Sequence, residues 1–364
     1  MTVGNPNLEI VFVHLGQTKH QHIFSNIDLV HKMFPTTKIH CIVSKGSGLV
    51  REIPSFVNIF SYEPDLELDQ IFSSKTIDPN FRKGFWRYSL ERLMAVESFH
   101  AKNRNQTYLH VESDVLLLPN FPLHKFIELK HVYWLPSNPI TDIASIVYFP
   151  NYESTKEFKK DLLDYVYNSI QPTDMKGLFH LRHKFPDKYK TLPISHASLP
   201  QLNTVEVDTS FESEVDFGGI FDAQNIGMWL AGIDPRNTYG FLELFATKKI
   251  VINNSFIDPS NYTIKFSKEN GLYFENGNEK ISIYNLHIHS KSPRIFSKNW
   301  SKEIADLTLL SHKNKIQRKF YPKILLRLFI DNIKNGTFLE FLYNSPMMFH
   351  VRRFKIFLIR PGRN

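Results

Sequence analysis

Within the first fifty residues, two short apolar runs flank a segment of helical periodicity, and this pattern restricts the fold more than any other feature of the chain. The first run covers residues 9–14 and the second covers residues 38–44. Between them, residues 26–34 place apolar side chains at helical spacing. A strand, a helix and a strand at this pitch predict a βαβ unit with a parallel sheet.

Later segments continue the alternation and predict a mixed or parallel α/β sheet flanked by helices. Strands are predicted at 56–61, 107–111, 132–135, 145–149, 204–207, 249–252, 272–274 and 281–289, and helices at 85–100, 156–170 and 221–231. We expect Ser89 to cap the helix within 85–100. Residues 173–202 are polar and contain prolines, so we expect irregular structure with one short helix there.

Length and composition limit the class of protein. The chain has 364 residues, of which 42% are hydrophobic and 14% aromatic, and this apolar content excludes a disordered protein. The single cysteine, Cys41, excludes an intrachain disulfide framework and any multi-cysteine zinc site. No apolar run is long enough to span a bilayer, and the first residues lack a signal-peptide pattern, so we expect a cytoplasmic protein.

The net charge of +8 is concentrated at one end of the chain. Residues 313–364 carry +10, with apolar and aromatic side chains interleaved, whereas residues 1–312 sum to −2. We therefore predict a main domain over 1–310 and a basic, amphipathic helical extension over 311–364. The extension favours an anionic membrane surface, which would place the protein peripherally on the inner face of the membrane. The alternative is that its apolar side packs on the main domain.

The first candidate site is an acidic triplet, in which Glu112, Ser113 and Asp114 follow the predicted strand at 107–111. In a parallel sheet, ligands bind beyond the carboxyl ends of the strands. Two carboxylates at this spacing can hold a hard divalent cation while diphosphate oxygens complete its coordination. The alternative is a solvated turn with ordinary acidic residues. The flanking strand and the apolar run that follows favour a metal site, with Asp114 as its principal ligand.

The second candidate lies near the predicted strand at 281–289, where His287, His289 and Lys291 follow one another at spacing two. Alternate residues of a strand point to one side, so the two imidazoles would face the same way. Neutral imidazole binds Mn²⁺-like metals, and lysine binds phosphate as a point charge. We expect His289, rather than His287, to complete the metal site because it is nearer to the loop. The alternative is two histidines packed at a strand end.

Two further groups of polar residues are candidates for substrate binding. Asp222 stands at the start of the predicted helix at 221–231, where it is either an N-cap or a functional carboxylate. The amide of Gln224 in the same segment can bind sugar hydroxyls. Arg87 and Arg92 lie in the predicted helix at 85–100 and can hold a diphosphate bidentately, although surface arginines are the commoner case.

The order of these motifs resembles that of GT-A fold glycosyltransferases that use nucleotide sugars, over roughly residues 8–295. Residues 108–114 look like their DxD segment, with Glu112 replacing the first aspartate. Residues 286–291 are similar to the late metal-binding histidine and phosphate-binding lysine of the glycogenin-like and bacterial galactosyltransferase group. Residues 221–227 resemble the acceptor-side carboxylate and amide segment of such enzymes.

The resemblance implies an enzyme that moves a sugar from a nucleoside diphosphate sugar, such as a UDP-sugar, to a hydroxyl of a glycan or lipid-linked glycan. It implies Mn²⁺ or Mg²⁺ as the cofactor, and a bacterial surface-polysaccharide role fits the composition. The implied metal ligands are Glu112, Asp114, His287 and His289. The implied donor-binding residues are His14, Gly16, Thr18, Arg87, Arg92, Glu112, Ser113 and Lys291. Asp222 and Gln224 are the implied catalytic residues on the acceptor side.

Two other classes of function remain open at this stage. A metal-dependent hydrolase also uses a His-x-His pair with carboxylates, but its site usually recruits further histidines. A non-enzymatic polyanion-binding protein would act through the basic extension. We expect no nucleic-acid partner, because the rest of the chain is slightly acidic and carries no recognisable nucleic-acid module.

Overall fold

The computed structural model describes residues 8–16, 21–63, 66–73, 84–138, 140–196, 199, 215–232, 257–267 and 269–312. Thr18, the predicted strands at 204–207 and 249–252 and the basic segment 313–364 lie outside these residues. Within them, none of the helices combines the length and apolarity that crossing a membrane requires.

The described strands and helices are as follows. The strands are β1 (Leu8–His14), β2 (Ile39–Ser44), β3 (Asn58–Tyr62), β4 (Thr107–Val111), β5 (Val115–Leu117), β6 (Val132–Asn138), β7 (Thr141–Phe149), β8 (Tyr189–Thr191), β9 (Gly219–Ile220), β10 (Thr263–Ser267), β11 (Gly271–Asn276), β12 (Glu279–Ile283) and β13 (Asn285–His287). The helices are α1 (Gln21–Met33), α2 (Leu66–Ser73), α3 (Phe85–His100), α4 (Tyr152–Asn168), α5 (Asp174–Lys184), α6 (Asn225–Ala231) and α7 (Trp300–His312). Short 3-10 turns cover Gly48–Glu52, Leu123–Glu128 and Pro259–Asn261.

A seven-stranded mixed sheet in the order β3-β2-β1-β4-β7-β6-β8 forms the centre of the molecule. Strands β3, β2, β1 and β4 run parallel to one another, and β7 runs antiparallel to both β4 and β6. Alternate side chains of β1 enter different apolar clusters: Ile10 and Phe12 pack with α1, whereas Val11 packs with α3, α4 and α5. The predicted α/β class with helices flanking the sheet is therefore confirmed.

A second unit of structure packs beside the central sheet. Strands β10, β11, β12 and β9 form a four-stranded sheet, and its apolar face packs with α6 and α7. Strand β5 pairs antiparallel with β13, which sets Val115 opposite His287. This pairing brings the residues after β4 next to the residues that end β13, although they are far apart in sequence.

Several predicted elements differ from the structure. The strand predicted at 281–289 is divided at Tyr284 into β12 and β13 and ends at His287. Ser89 lies inside α3, where its hydroxyl donates to the carbonyl of Trp86 at 2.9 Å, and Gly84 with φ 88° precedes the helix instead. The one short helix expected within 173–202 is the eleven-residue α5, whereas strand β8 was not predicted. Helix α7 ends at His312, and the domain boundary at 310 stays a prediction.

Candidate metal and diphosphate site

A cleft of about 360 Å³ opens at the carboxyl ends of β1 and β4. Most of the polar residues that were predicted from the sequence to form a site line this cleft. The predicted residues that line it are His14, Arg92, Glu112, Ser113, Asp114, Gln224, His287, His289 and Lys291. The location agrees with the rule that ligands bind beyond the carboxyl ends of parallel strands.

The acidic turn between β4 and β5 is fixed by its backbone. The amide of Glu112 donates to the carbonyl of Ser145 at 2.9 Å, and the amide of Ile288 donates to the carbonyl of Asp114 at 2.7 Å. The buried side chain of Asn26, from α1, donates to the carbonyls of Ser113 and Val115 at 3.1 and 2.7 Å. Three different parts of the chain therefore hold this turn in one conformation.

The imidazole of His287 faces both carboxylates of the turn. Its Nε2 lies 3.4 Å from Oε2 of Glu112 and 3.6 Å from Oδ1 of Asp114. Its Nδ1 lies 2.7 Å from the carbonyl oxygen of Ala223, which only accepts, so Nδ1 carries a proton and donates. The Nε2 atom is thereby directed at the carboxylates, which is the orientation that a metal-ligating histidine requires.

The charges around His287 change its protonation. Burial opposes the charged imidazolium, but Asp114 and Glu112 outweigh it and raise the pKa of His287 to about 9. In the opposite direction, burial disfavours the Asp114 carboxylate, whereas Lys291 and His287 stabilise it and hold its pKa well below the ordinary value. At neutral pH the metal-free cluster therefore contains an imidazolium and a carboxylate.

Two cations contact the two carboxylates directly. The ammonium of Lys291 pairs with Oδ2 of Asp114, and the guanidinium of Arg92 pairs with Oε1 of Glu112. Arg92 also donates to Oδ2 of Asp174 at 2.8 Å. Burial opposes the charge of Arg92, yet these carboxylates raise its pKa above the ordinary value. With His287 charged, three cations face three carboxylates, and the cluster is balanced.

The residues fit a hard divalent cation. Glu112, Asp114 and His287 each offer one ligand atom, and these atoms lie within 4.8 Å of one another. Among the described residues, no other group of three or more such side chains does so. The set of two carboxylate oxygens and one imidazole nitrogen suits a divalent cation that accepts both oxygen and nitrogen ligands.

The cluster contains His287 rather than His289, and the expected role of His289 as a metal ligand stays a prediction. Strand β13 ends at His287, so the alternation that would place both imidazoles on one side does not reach His289. His289 still lines the cleft, with its ring centroid 4.8 Å from that of His287.

Asp222 does not line the cleft, and it lies two residues before Gln224, the N-cap residue of α6. Its Oδ1 accepts from the amide of Ile226 at 2.9 Å, and its Oδ2 accepts from the amides of Gly227 and His287 at 2.7 and 3.0 Å. Burial raises the pKa of Asp222, and this effect outweighs the three backbone hydrogen bonds, which lower it. Gln224 lines the cleft, and its amide donates to the hydroxyl of Ser137.

The residues predicted to bind the nucleotide-sugar donor separate into two groups. His14 and Ser113 line the cleft, whereas Arg87 turns away from it and pairs with Asp69 and Glu91. Gly16 has φ 86°, and its amide donates to the hydroxyl of Ser44 at 2.9 Å. It approaches Tyr88 so closely that a Cβ atom would lie 2.9 Å from that ring. Gly16 therefore shapes the edge of the cleft through its backbone.

Sequence reasoning missed several residues that line the cleft. Asp174 begins α5 after the capping residue Thr173, and this threonine is the sequence signal that could have located the start of the helix. His22 lies with its Nε2 at 3.3 Å from the hydroxyl of Ser113. The first turn of α3 adds the aromatic side chains of Phe85, Trp86 and Tyr88, for which no role in the site was predicted.

Comparisons with known proteins give fold similarity at low sequence identity. No protein-family model matches the chain. A maturase K from Vaccinium vitis-idaea is 28% identical over 100 residues, and the match spans 27% of this chain and 18% of that protein.

Solved structures of glycosyltransferases are similar over about half of the chain. The galactosyltransferase LgtC in complex with donor and acceptor sugar analogues matches 51% of this chain and 73% of its own, at 12% identity and a TM-score of 0.36. A glycosyltransferase involved in glycosylation of the major capsid of PBCV-1 matches 51% of this chain and 81% of its own, at 13% identity and a TM-score of 0.32. Since these values are low, we base the function on the geometry of the cleft.

Proposed function

We propose that the protein is a metal-dependent glycosyltransferase that moves a sugar from a nucleoside diphosphate sugar to a hydroxyl of a glycan acceptor. One observation carries this proposal: the cluster of Glu112, Asp114 and His287 shares a cleft with the cations of Arg92 and Lys291. A carboxylate pair alone repels a diphosphate. A divalent ion between the carboxylates, flanked by two fixed cations, attracts one.

The residues have distinct roles in the proposed transfer. Glu112, Asp114 and His287 would hold the metal, which supplies charge neutralisation to a bound diphosphate. Lys291 and Arg92 bind the diphosphate oxygens as the bond between the anomeric carbon and the leaving oxygen breaks. The new bond forms between that carbon and the acceptor oxygen, whose proton leaves to solvent or to a nearby base.

On the acceptor side, Gln224 is the residue that we propose to meet the substrate, because it lines the cleft. A primary amide both donates and accepts, which suits the vicinal hydroxyls of a sugar. Asp222 is less suited to act as a base, since its two oxygens already accept three backbone N–H groups.

The direct test is ligand protection followed by turnover. We expect Mn²⁺ with UDP to raise the melting temperature by about 5 °C at saturating ligand, with smaller shifts for either alone. A sugar-nucleotide panel should then give nucleoside diphosphate release that requires metal. Asp114→Asn is the matched control and should lose both effects. Failure of every nucleoside diphosphate to protect the protein with Mn²⁺ would contradict the proposal.

The same measurement separates the other classes of function. Protection by metal alone would favour a hydrolase, and protection by polyanions alone would favour a binding protein. The described residues favour neither, because their one candidate metal cluster contains a single histidine and faces two fixed cations.

Residues 313–364 carry a separate proposal, since they lie outside the described part of the chain. We propose that their charge of +10 holds the protein on the inner face of a membrane, near a lipid-linked glycan acceptor. Co-sedimentation with anionic liposomes at low salt tests this. The full chain should pellet and a chain ending at Ser311 should not, whereas equal recovery in the supernatant would contradict it.

A further inference from the structure

We propose that Asp222 is a positioning residue, which fixes His287 with its Nε2 directed at Glu112 and Asp114. The inference rests on the metal-dependent transfer proposed above. It replaces the acceptor-side role that the sequence predicts for Asp222, and it follows from contacts that join two different elements.

The Asp222 carboxylate connects the first turn of α6 with β13. Its Oδ2 accepts from the amide of Gly227 at 2.7 Å and from the amide of His287 at 3.0 Å, while Oδ1 accepts from Ile226. A simple helix cap satisfies only amides of its own helix. Here one oxygen also holds the backbone of the residue whose imidazole faces the metal cluster.

The backbone of Asp222 is held as firmly as its side chain. The side chain of Asn285, two residues before His287, accepts from the amide of Asp222 at 3.0 Å and donates to its carbonyl at 2.9 Å. Asn285 has no exposed surface, and Asp222 is 2% exposed. Asp222 and β13 are therefore joined by three hydrogen bonds that solvent does not compete with.

Close packing of α6 on β13 completes the arrangement. A Cβ atom at Gly227 would lie 2.0 Å from the carbonyl oxygen of His287, so only glycine lets the helix approach this far. The approach also brings the carbonyl of Ala223 to Nδ1 of His287 at 2.7 Å. The backbone of His287 is thus held by Asp222 and its ring by Ala223.

A small displacement of the His287 imidazole would weaken metal binding. Nε2 of His287 lies 3.4 Å and 3.6 Å from the two carboxylates, so the three ligand atoms meet only in this orientation of the ring. Partners that orient a ligating histidine typically contribute 10- to 100-fold to metal affinity. Asp222 does so through the peptide amide of His287 rather than through its ring.

The test is Asp222→Asn, which keeps the shape and an acceptor but removes the carboxylate. We expect Mn²⁺ affinity, measured calorimetrically on the full chain, to fall about 10- to 100-fold. In the metal-free protein, ¹⁵N resonances of His287 should change from one fixed ring environment to an exchanging mixture. Asn151→Ala is the matched control: it removes the cap of α4, where Asn151 accepts from Ser154 at 2.9 Å, and should leave both readouts unchanged.

The outcomes separate this role from the others. Asp222→Asn with parental Mn²⁺ affinity and an unchanged His287 spectrum would overturn the inference, and lost transfer in that variant would restore the acceptor-side role. If the parent binds no Mn²⁺, the proposed function fails, but the metal-free spectrum still decides the role of Asp222. Should Asp222→Asn not fold, Asn285→Ser keeps the carboxylate and should still weaken Mn²⁺ severalfold; parental affinity in it would overturn the inference.

Discussion

The ammonium of Lys291 contacts the carboxylate of Asp114 across 177 residues of sequence. Lys291 reaches this position with φ 50°, and no other described residue except glycine has a positive φ. A backbone of this kind costs on the order of 1 kcal/mol and persists where the surroundings enforce it. The lysine contacts Oδ2 of Asp114, while Oδ1 of the same carboxylate faces His287, so the lysine and a bound cation would share one carboxylate.

Replacing Lys291 should separate metal binding from diphosphate binding. In Lys291→Met the Asp114 carboxylate loses its competing cation, so Mn²⁺ should bind about tenfold more tightly. The same variant lacks a charged donor for the leaving group, so UDP in the presence of saturating Mn²⁺ should bind 10- to 100-fold more weakly. Titration calorimetry measures both affinities.

Lys298→Met is the control for Lys291→Met, because Lys298 is exposed and follows in the same segment. It should change neither affinity. Equal weakening of Mn²⁺ and UDP in Lys291→Met would mean that Lys291 supports the structure of the site instead of competing with the metal.

Loss of Asp114 should remove metal binding with little effect on the fold. Asp114→Asn keeps the side-chain volume but weakens the ligand, and we expect Mn²⁺ affinity to fall at least about 100-fold, with transfer lost. Asp161→Asn is a matched control, since Asp161 is a buried carboxylate that accepts from Tyr189 at 2.7 Å outside the cleft. Full transfer activity in Asp114→Asn would remove the metal site from the mechanism.

The pKa of His287 gives Mn²⁺ binding a pH dependence of defined sign. In the metal-free protein this pKa is raised to about 9, so the His287 ring is charged up to about that pH. The stability that the charge contributes to the fold is complete below about 6.5 and is lost as pH rises through 9. A metal needs the neutral ring, so Mn²⁺ affinity should rise about tenfold per pH unit between roughly 6.5 and 8.5. Calorimetry in buffers of different ionisation enthalpy should detect about one released proton. In His287→Gln the slope should disappear, and an unchanged slope would assign the proton to another group.

The sequence predicted the parallel strands well because burial on both faces leaves near-continuous apolar runs. Strand β4 was predicted at its observed bounds, 107–111, and β2 within one residue. The position of the acidic turn followed directly, since ligands meet at the carboxyl ends of such strands.

What the sequence did not reveal depends on contacts between distant segments. The pairing of β5 with β13 decides that His287 meets the carboxylates, and no local pattern encodes it. The role of Asp174 also required the tertiary structure, because only there does α5 come next to Arg92. For Asp222, propensity allowed a cap or a functional carboxylate, and only the contact with His287 distinguishes them.

Asp174 should control how well Arg92 binds the donor. In Asp174→Asn the guanidinium keeps only Glu112 as a charged partner, so it should turn toward that carboxylate and away from the diphosphate. We expect the KM for the donor to rise about tenfold with a smaller change in kcat. Glu153→Gln is the control because it removes the first-turn acid of α4, as Asp174→Asn does for α5. A fall in kcat alone would contradict a donor-binding role.

Contacts at the C-terminal end of α5, the helix that begins with Asp174, should contribute strongly to the stability of the protein. Arg182 donates to Asp142 from Nε at 2.8 Å and from Nη2 at 3.0 Å, and Trp134 donates to the same carboxylate at 2.8 Å. Asp142 has no exposed surface, so Arg182→Met would leave a buried carboxylate without its charged partner. We expect the free energy of unfolding in urea to fall by about 3–5 kcal/mol, and the double variant Arg182→Met with Asp142→Leu to recover part of that loss.

The half-exposed pair of Lys188 with Glu157 is the control, and its removal by Lys188→Met should cost less than about 1 kcal/mol. If both single variants lose the same free energy of unfolding, burial of the ion pair between Arg182 and Asp142 adds no stability beyond that of an exposed pair.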